Sequence, residues 1–547
     1  MGSANRVVWE PSPRGGVASG FRRCVQLGLL ALIPYMTGCT SLPQFVRNGF
    51  KVGPDYERPP APVANNWIDA SDPRVKSVAA SDARWWTAFG DPVLNDLIHT
   101  AYAQNVSLRV AGTRVLEARA QQAIAVGQLF PQQQTADGSV QQFRASRTTA
   151  NAPPTRQFAT WAADVKASWE LDFWGKIRRT IESADAAVDA SVDDYDNVMV
   201  TLIGDLASAY VQYRIAQQKL AYTRENIRLQ KGSLKIATDR WKAGQANEFN
   251  VVQATSLLEQ LESTVPALEI GLRQANNQMC ILLGLPPTDL ADRLAAAPIP
   301  VAPAEVVAGV PADLIRRRPD VRAAERLVAA QSAQVGVAEA DLYPAFFLSG
   351  SIGYQARTLG QLFGPGSVAG AGGPGFQWNI LNYGRIINNV RFQDFKTQEL
   401  VGIYQQKVLS AAREVEDGIV AYLRSRQQAE RLAASVQAAE RAVALATAQY
   451  NAGAIDYTSV FVAQQFLADQ QTIYAQALGD IDLGLIATYR ALGGGWELRL
   501  EREAAAGAEP AGGPPCNPAP AAPPALGALP ADAPALGTTG GFAVERQ

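Results

Sequence analysis

Acid–base and metal chemistry draw first on histidine and cysteine, and this sequence holds one histidine and four cysteines. His99 stands inside the helix-patterned stretch PVLNDLIHTAYAQN with no partner motif, so it reads as a surface or interface residue rather than a general base. The cysteines, at 24, 39, 280 and 516, follow neither a disulfide nor a zinc spacing. Gly370-Ala371-Gly372-Gly373-Pro374-Gly375 matches G-x-G-x-x-G, but a dinucleotide fingerprint needs a strand before it and a helix opening on it. Here Pro374 and the alternating GFQWNI come instead, and the run is expected to be a loop. No convergent nucleophile, base or metal set supports an enzyme, and neither metal nor cofactor is expected.

Cys39 is the one cysteine with a chemical context. A basic n-region with Arg22 and Arg23 precedes an apolar run from Val25 to Met36, which stops at Met36-Thr37-Gly38-Cys39. The run is too short to span a bilayer as a helix and reads as a secretory signal. A thiol directly after small residues resembles the bacterial lipobox. That resemblance implies cleavage before Cys39, an S-diacylglycerol and an N-acyl group on it, and, with Thr40 rather than Asp next, an outer-membrane destination.

Removing residues 1–38 takes away Arg6, Arg14, Arg22, Arg23 and Glu10, which moves the net charge from -2 to -5. Such a chain has no electrostatic case for a nucleic-acid partner. Beyond residue 38 no apolar run is long enough for a membrane-spanning helix, so any crossing must be made by strands.

The elements that would position these residues come in two copies. SWELDFWGKIRR recurs as QWNILNYGRIIN, pairing Trp169 with Trp378 and Gly175 with Gly384 at an offset of 209, and RWKAGQ falls on QYNAGA at the same offset. GQLFPQQ and ADLYPAF correspond at an offset of 213. No proline occurs from 155 to 265, and apolar or small residues step by threes and fours through Val198, Leu202, Leu206, Ala209, Tyr213, Ala216 and Leu220. A helix over about 177–242 follows, on the order of 100 Å long. It stops at Ala243-Gly244 and returns over about 246–284; the second copy repeats this as 386–451, a turn at Ala452-Gly453, and 455–492. A further helix over 92–128 could stack end to end with the shorter return.

Between the helices, Trp161, Ala163, Val165, Ala167, Trp169, Leu171 and Phe173 alternate with polar or small residues, and Leu348, Gly350, Ile352 and Tyr354 do likewise. Phe376, Trp378 and Ile380 alternate with Gln377 and Asn379, while 132–143 is less clear. A period of two with one aromatic, apolar face fits a membrane barrel wall. Four strands cannot close a barrel, and an open edge in lipid leaves backbone groups unsatisfied, so the barrel must be shared among chains.

Three motifs then converge. KVGPDYERPPAPV after the lipid site, LIRRRPDVRAAE opening the second copy, and the paired Ala-Gly helix turns resemble the TolC-like outer-membrane factors, in the lipoprotein branch of OprM and NodT type, over about residues 39–497. The fold implied is mixed α/β: an outer-membrane β-barrel completed by a homotrimer, four strands per chain, continued by a long periplasmic α-helical tunnel. The function implied is the exit duct of a tripartite efflux system, passively conducting small molecules such as drugs. A periplasmic adaptor would dock on the helical tips, and an inner-membrane pump, commonly of the RND class, would supply the energy.

The division expected is a signal at 1–38, a lipidated extended segment at 39–90, repeat 1 at 91–290, a linker at 291–312, repeat 2 at 313–497 and a disordered Ala/Pro/Gly-rich tail at 498–547. In resembling proteins an aromatic before the turn and an acid in the following helix help close the tip. Tyr450 matches the aromatic, with Trp241 as its repeat counterpart, but the acid's place is taken by Val462, with Thr458 one turn earlier. Glu248 and Asp456 are the nearby acids. The expected gate is packing of Tyr450, Thr458 and Val462 with weak charge selection by Asp456, and the expected adaptor contacts are Ala243, Gly244, Ala452 and Gly453. Arg316 to Arg318 are expected to make solvated or intersubunit contacts around Pro319 and Asp320 at a helix start. The rivals are a type I protein-secretion duct and a non-conducting envelope scaffold; the alternating strands speak against the scaffold.

Overall fold

A computed structural model describes residues 40–76, 83–146, 148, 155–313 and 317–501. The signal segment, Cys39, Arg316 and the tail from 502 onward lie outside the described residues. The compact unit runs to Arg499; of the second unit, Leu500–Gln547, only Leu500 and Glu501 are described, both helical.

In chain order the helices are α1 Leu42–Arg47, α2 Pro92–Gln104, α3 Val106–Gly127, α4 Lys176–Lys242, α5 Glu248–Leu282, α6 Ala291–Leu294, α7 Pro319–Ala340, α8 Arg385–Asn451 and α9 Tyr457–Ala491. The strands are β1 Val75–Lys76, β2 Gln133–Arg144, β3 Gln157–Leu171, β4 Val306–Val307, β5 Ala345–Ala356 and β6 Val368–Gln377. The long helices α4 and α8 have 67 residues each, and their returns α5 and α9 have 35, so each return covers only half of its partner. Gly244 at φ +71° and Gly453 at φ +76° take the left-handed conformation that ends α4 and α8.

The other half of α4 is covered by α3. Gln122 bonds Asp185 at 2.7 Å, whereas on α5 Glu269 and Glu262 pair with Arg224 and Lys231. The stretch expected as one helix over 92–128 is broken at Asn105, and the break is what lets α3 follow on from α5. Asn105 has extended backbone; its Oδ1 accepts from Leu108 N at 2.8 Å, capping α3, while its Nδ2 donates to the last carbonyl of α5, Leu282 O, at 2.8 Å. The second repeat has the same joint built from different chemistry: Arg318 Nη1 donates to Ala491 O, the last carbonyl of α9, at 3.0 Å. Arg318 and Asn105 stand 213 residues apart, and Ala491 and Leu282 stand 209 apart, the two offsets of the repeat.

Arg318, expected to make solvated or intersubunit contacts, instead bonds within its own chain. Its side chain is 10% exposed, bonds Asp320 at 2.9 Å through both Nε and Nη2, and reaches Glu414 at 2.7 Å. Burial pushes the Asp320 carboxyl up, but the bonds and charge of Arg318 outweigh it and hold the group below the usual carboxylate range. A guanidinium can serve a carbonyl and two carboxylates at once because its five donors form a rigid fork.

Four antiparallel strands form one sheet in the order β2-β3-β5-β6. The glycine run expected as a loop, Gly370–Gly375, lies inside β6. Glycine has no side chain to show alternation, and at the sheet edge the missing N–H of Pro374 need not break a ladder. A Cβ on Gly372 would sit 3.3 Å from Ser349 O, so the small residues also let β6 lie close to β5. The strand ends at Gln377, short of the alternation expected through Ile380; Trp378 instead donates its indole N–H to Leu342 O at 3.0 Å.

Where the repeats meet, Trp86, Leu94, Met199, Leu206, Tyr404 and Leu485 are buried in one core. The segment 39–90 is more than an extended anchor, since Trp67, Trp85 and Trp86 enter this core, Trp85 stacks on Tyr489 at 5.6 Å and β1 pairs in parallel with β4. The 291–312 connection is clamped by two tyrosine–arginine pairs: Arg214, over the Tyr210 ring, bonds Leu294 O and Ala295 O, while Arg426 and Tyr422 both bond Pro303 O. Packing also extends past residue 497, the expected end of repeat 2: Leu498 is buried and Arg499 bonds Asp196 through Nε at 2.7 Å.

Candidate duct surface and helical tip

The sheet register sorts side chains into two faces. Val165 pairs with Ala136 on one side and Ile352 on the other, Ile352 pairs with Gly370, and Trp169 aligns through Leu348 to Pro374. Leu171, Phe346 and Phe376 end the same face, so an apolar surface runs across all four strands, broken on β2 by Gln134 and Gln142. Its residues are solvent-exposed rather than packed on a core: Val165 is 54%, Ile352 66% and Phe376 71% exposed. The opposite face carries Thr135, Asp137, Asp164, Lys166, Ser349 and Ser351, with Lys166 Nζ 3.0 Å from Asp137 and 3.2 Å from Asp164. An aqueous wall on one side and an apolar one on the other is what a sheet between water and lipid requires.

At the far end of the long helices the two hairpins meet. Ala237 of α4, Ala254 of α5, Tyr450 of α8 and Tyr457 and Val460 of α9 form a small buried core. Tyr450 and Tyr457 pack edge to face with centroids 5.4 Å apart. The Arg240 guanidinium lies over the Tyr450 ring at 4.8 Å and Nη1 donates to the Tyr450 carbonyl. Gln230 Nε2 donates to Ala254 O at 2.7 Å and to Tyr457 Oη at 3.1 Å; burial pushes that phenol up to about 12. At the surface, Thr458 Oγ1 donates to Asp456 Oδ2 at 2.8 Å and holds the Asp456 carboxyl below its ordinary range. The same hydroxyl lies 3.3 Å from Gln253 Oε1, which links α9 to α5.

The residues singled out at this tip thus separate by depth. Tyr450 is 4% exposed and faces inward among the four helices, whereas Val462 is 57% exposed and lies outside that cluster. Trp241, the repeat counterpart of Tyr450, is 42% exposed, because the neighbouring Arg240 is the residue that turns in. Glu248, Asp456 and the turn residues Ala243, Gly244, Ala452 and Gly453 are exposed. Arg240, Gln230 and Tyr457 were not singled out from sequence. Tyr457 carried a usable signal, an aromatic seven residues beyond Tyr450 across a two-residue Ala-Gly turn, but Arg240 has Gln449 as its repeat partner and gave none.

Among the described residues no helix is long and apolar enough to cross a membrane and no acidic, histidine or cysteine group is arranged to hold a metal. His99 is exposed and Cys280 is a buried free thiol.

Residues 97–285 and 310–494, the two repeats, match the family model described as outer membrane efflux protein. Nodulation protein T of Rhizobium leguminosarum bv. trifolii is 31% identical over 444 residues, which cover 79% of this chain and 91% of that protein. The pyoverdine export outer membrane protein OpmQ of Pseudomonas putida is 31% identical over 427 residues, covering 77% and 90%. Among solved structures the outer-membrane channel OprN superposes with a TM-score of 0.77 at 31% identity, over 82% of this chain and 99% of that one. CusC superposes at 0.70 and 26% identity, over 81% and 100%.

Proposed function

The chain belongs to the outer membrane efflux protein family, and from that premise we propose that it is the passive outer-membrane exit duct of a tripartite efflux system. The observation that carries this reading is the exposed, largely apolar face running across β2, β3, β5 and β6. These strands have 12, 15, 12 and 10 residues, against the roughly 9–11 needed to cross a bilayer at a tilt.

A sheet with two free edges is not viable in lipid, so β2 of one copy pairs with β6 of the next until the wall closes. Three copies make a barrel of twelve strands. The Lys166, Asp137 and Asp164 face then lines an aqueous lumen, and α4 and α8, each roughly 100 Å long, continue the tube into the periplasm.

Cys39 carries an S-diacylglycerol and an N-acyl group that anchor the chain. The adaptor docks at the exposed turns Ala243-Gly244 and Ala452-Gly453, and an inner-membrane pump of the RND class drives cargo through. OpmQ is named for pyoverdine export, which supports small-molecule cargo such as drugs here. Asp456 and Glu248 ring the tip as a weak cation filter, and the Tyr450 cluster holds it shut.

The test is native mass of the acylated protein together with its conductance in planar bilayers. Trimers giving discrete, cation-selective steps are expected. A stable monomer, or trimers that insert and do not conduct even when the tip is opened by mutation, would overturn the duct.

A further inference from the structure

The segment following Cys39 is built more rigidly than a tether requires. Thr40 is buried, donates to Glu339 Oε1 at 2.5 Å and accepts from Gly53 N at 2.8 Å, which fixes the chain against the end of α7. Asn48 Nδ2 donates to Gly53 O at 3.0 Å, and Val52 N to Trp174 O at 3.0 Å. The first turn of α4 grips the same loop: Arg178 donates to Gly49 O and Phe50 O, both at 2.9 Å, and Arg179 to Val52 O at 3.0 Å.

Held this way, the segment turns apolar side chains outward. Leu42 is 76%, Val46 54% and Phe50 56% exposed; Leu42 and Val46 stand one helical turn apart, on the same side of α1. Phe50 has φ +61°, a conformation that a bulky residue holds only where the surroundings impose it. The paired carbonyl bonds from Arg178 impose it here. Phe50 keeps one edge-to-face contact, with Phe45 at 5.6 Å; Phe45 also packs at 5.6 Å on Trp174, which stacks at 4.5 Å on Tyr343 and edge-on at 4.8 Å against Phe173, and Phe173 meets Phe346 at 5.6 Å. Phe346 ends the apolar face of the sheet. One aromatic chain therefore connects α1 to the rim of that face, and the exposed Arg47 on α1 supplies a cation beside it.

We propose that residues 42–50 form a rigid interfacial prong that inserts Leu42, Val46 and Phe50 into the periplasmic leaflet of the outer membrane, with Arg47 at the phosphate level. The partner is the lipid surface, chosen because the prong is continuous with the apolar rim of the sheet; the inference rests on the membrane reading of that sheet. Interfacial binding scales with buried apolar area plus attraction to anionic headgroups. The acyl chains on Cys39 hold the chain at the membrane, and the stiffness of the prong sets the depth and angle at which the helical tube meets the bilayer.

Lipid quenching tests it on the acylated full chain in a Cys280→Ser, Cys516→Ser background, labelled with an environment-sensitive fluorophore and reconstituted into phosphatidylethanolamine–phosphatidylglycerol vesicles carrying nitroxide acyl chains. Labels at Leu42→Cys and Val46→Cys are expected to shift to the blue and lose most of their emission, as does a label at Val165→Cys on the sheet, while one at Glu57→Cys keeps its emission. Phe50→Gly, which removes the ring, its contact with Phe45 and the strained φ together, should reduce quenching at position 46 while circular dichroism shows the chain still folded. Quenching at 165 but not at 42 or 46 overturns the prong and leaves the barrel standing. A blue shift at 42 and 46 without quenching also overturns it and assigns the surface to a second copy of the chain. Absence of quenching at all three positions overturns the membrane reading beneath it.

Discussion

Arg240, in the last turn of α4, lies with its guanidinium 4.8 Å from the centroid of the Tyr450 ring, in the last turn of α8, while Nη1 donates to the Tyr450 carbonyl. One side chain thereby ties together the ends of the two longest helices. The tie lies at the tip that the proposed duct would have to open, and it joins the two repeats within one chain.

Replacing Arg240 with Ala removes a cation–π contact and a charge-assisted bond together, about 2 kcal/mol of local coupling. The tip should loosen, so the single-channel open fraction rises while native mass and sheet content stay unchanged. Arg240→Lys should recover only part of the closure, since an ammonium lacks the fork that meets ring and carbonyl at once. An open fraction indifferent to both substitutions would remove Arg240 from the gate.

Val462 is exposed about one and a half turns beyond the start of α9. Val462→Asp is expected to increase cation selectivity without disturbing assembly, because the new carboxylate stays in water and disturbs no packing. Reversal potentials under a salt gradient read this directly, and unchanged selectivity would count against a tip position facing the conducting path.

Arg318→Ala leaves Asp320 buried without its bidentate partner and strips a donor from the end of α9. Breaking a buried pair from one side costs on the order of 3–5 kcal/mol. Asn105→Ala, at the equivalent joint, should cost only about 1–2 kcal/mol, because a neutral cap and a single carbonyl bond are lost. Melting temperatures of the two variants in detergent should fall in that order.

Asp482 is 1% exposed on α9, beside a cavity of about 320 Å³ also lined by Arg426, Glu430 and Tyr474. Burial raises its carboxyl to about 8, only partly offset by the N–H of Ala302. The folded chain keeps this proton up to about pH 8, whereas the unfolded chain releases it near the ordinary 3.8. Between those values the unfolded state binds fewer protons, so stability from this group is full at low pH and declines as pH rises through the window. Asp482→Asn should flatten that decline and raise the melting temperature at alkaline pH, with a gain of a few kcal/mol (about 2–5). A variant no more stable than the parent above pH 8 would mean that the fold does not hold Asp482 protonated.

The long helices, their glycine stops and the two-residue period of β3 were legible in the sequence because each is a local matter: proline-free apolar stripes, left-handed glycine and side chains on alternate faces. Duplication made them legible twice, and the family match over residues 97–285 and 310–494 covers both copies. Where local pattern fell silent, the sequence misled. The glycines of β6 carry no alternation to read, and Asn105 looks like any polar residue in a helix until α5 ends against it. Long-range partners alone decided that Arg318 is buried, that Tyr450 turns inward while Trp241 turns out, and that the loop after Cys39 is gripped hard enough to hold Phe50 at a positive φ. A side chain's neighbours along the chain set the conformation it prefers; which carbonyl, carboxylate or ring it meets from a hundred or more residues away is set only when the helices and the sheet have packed.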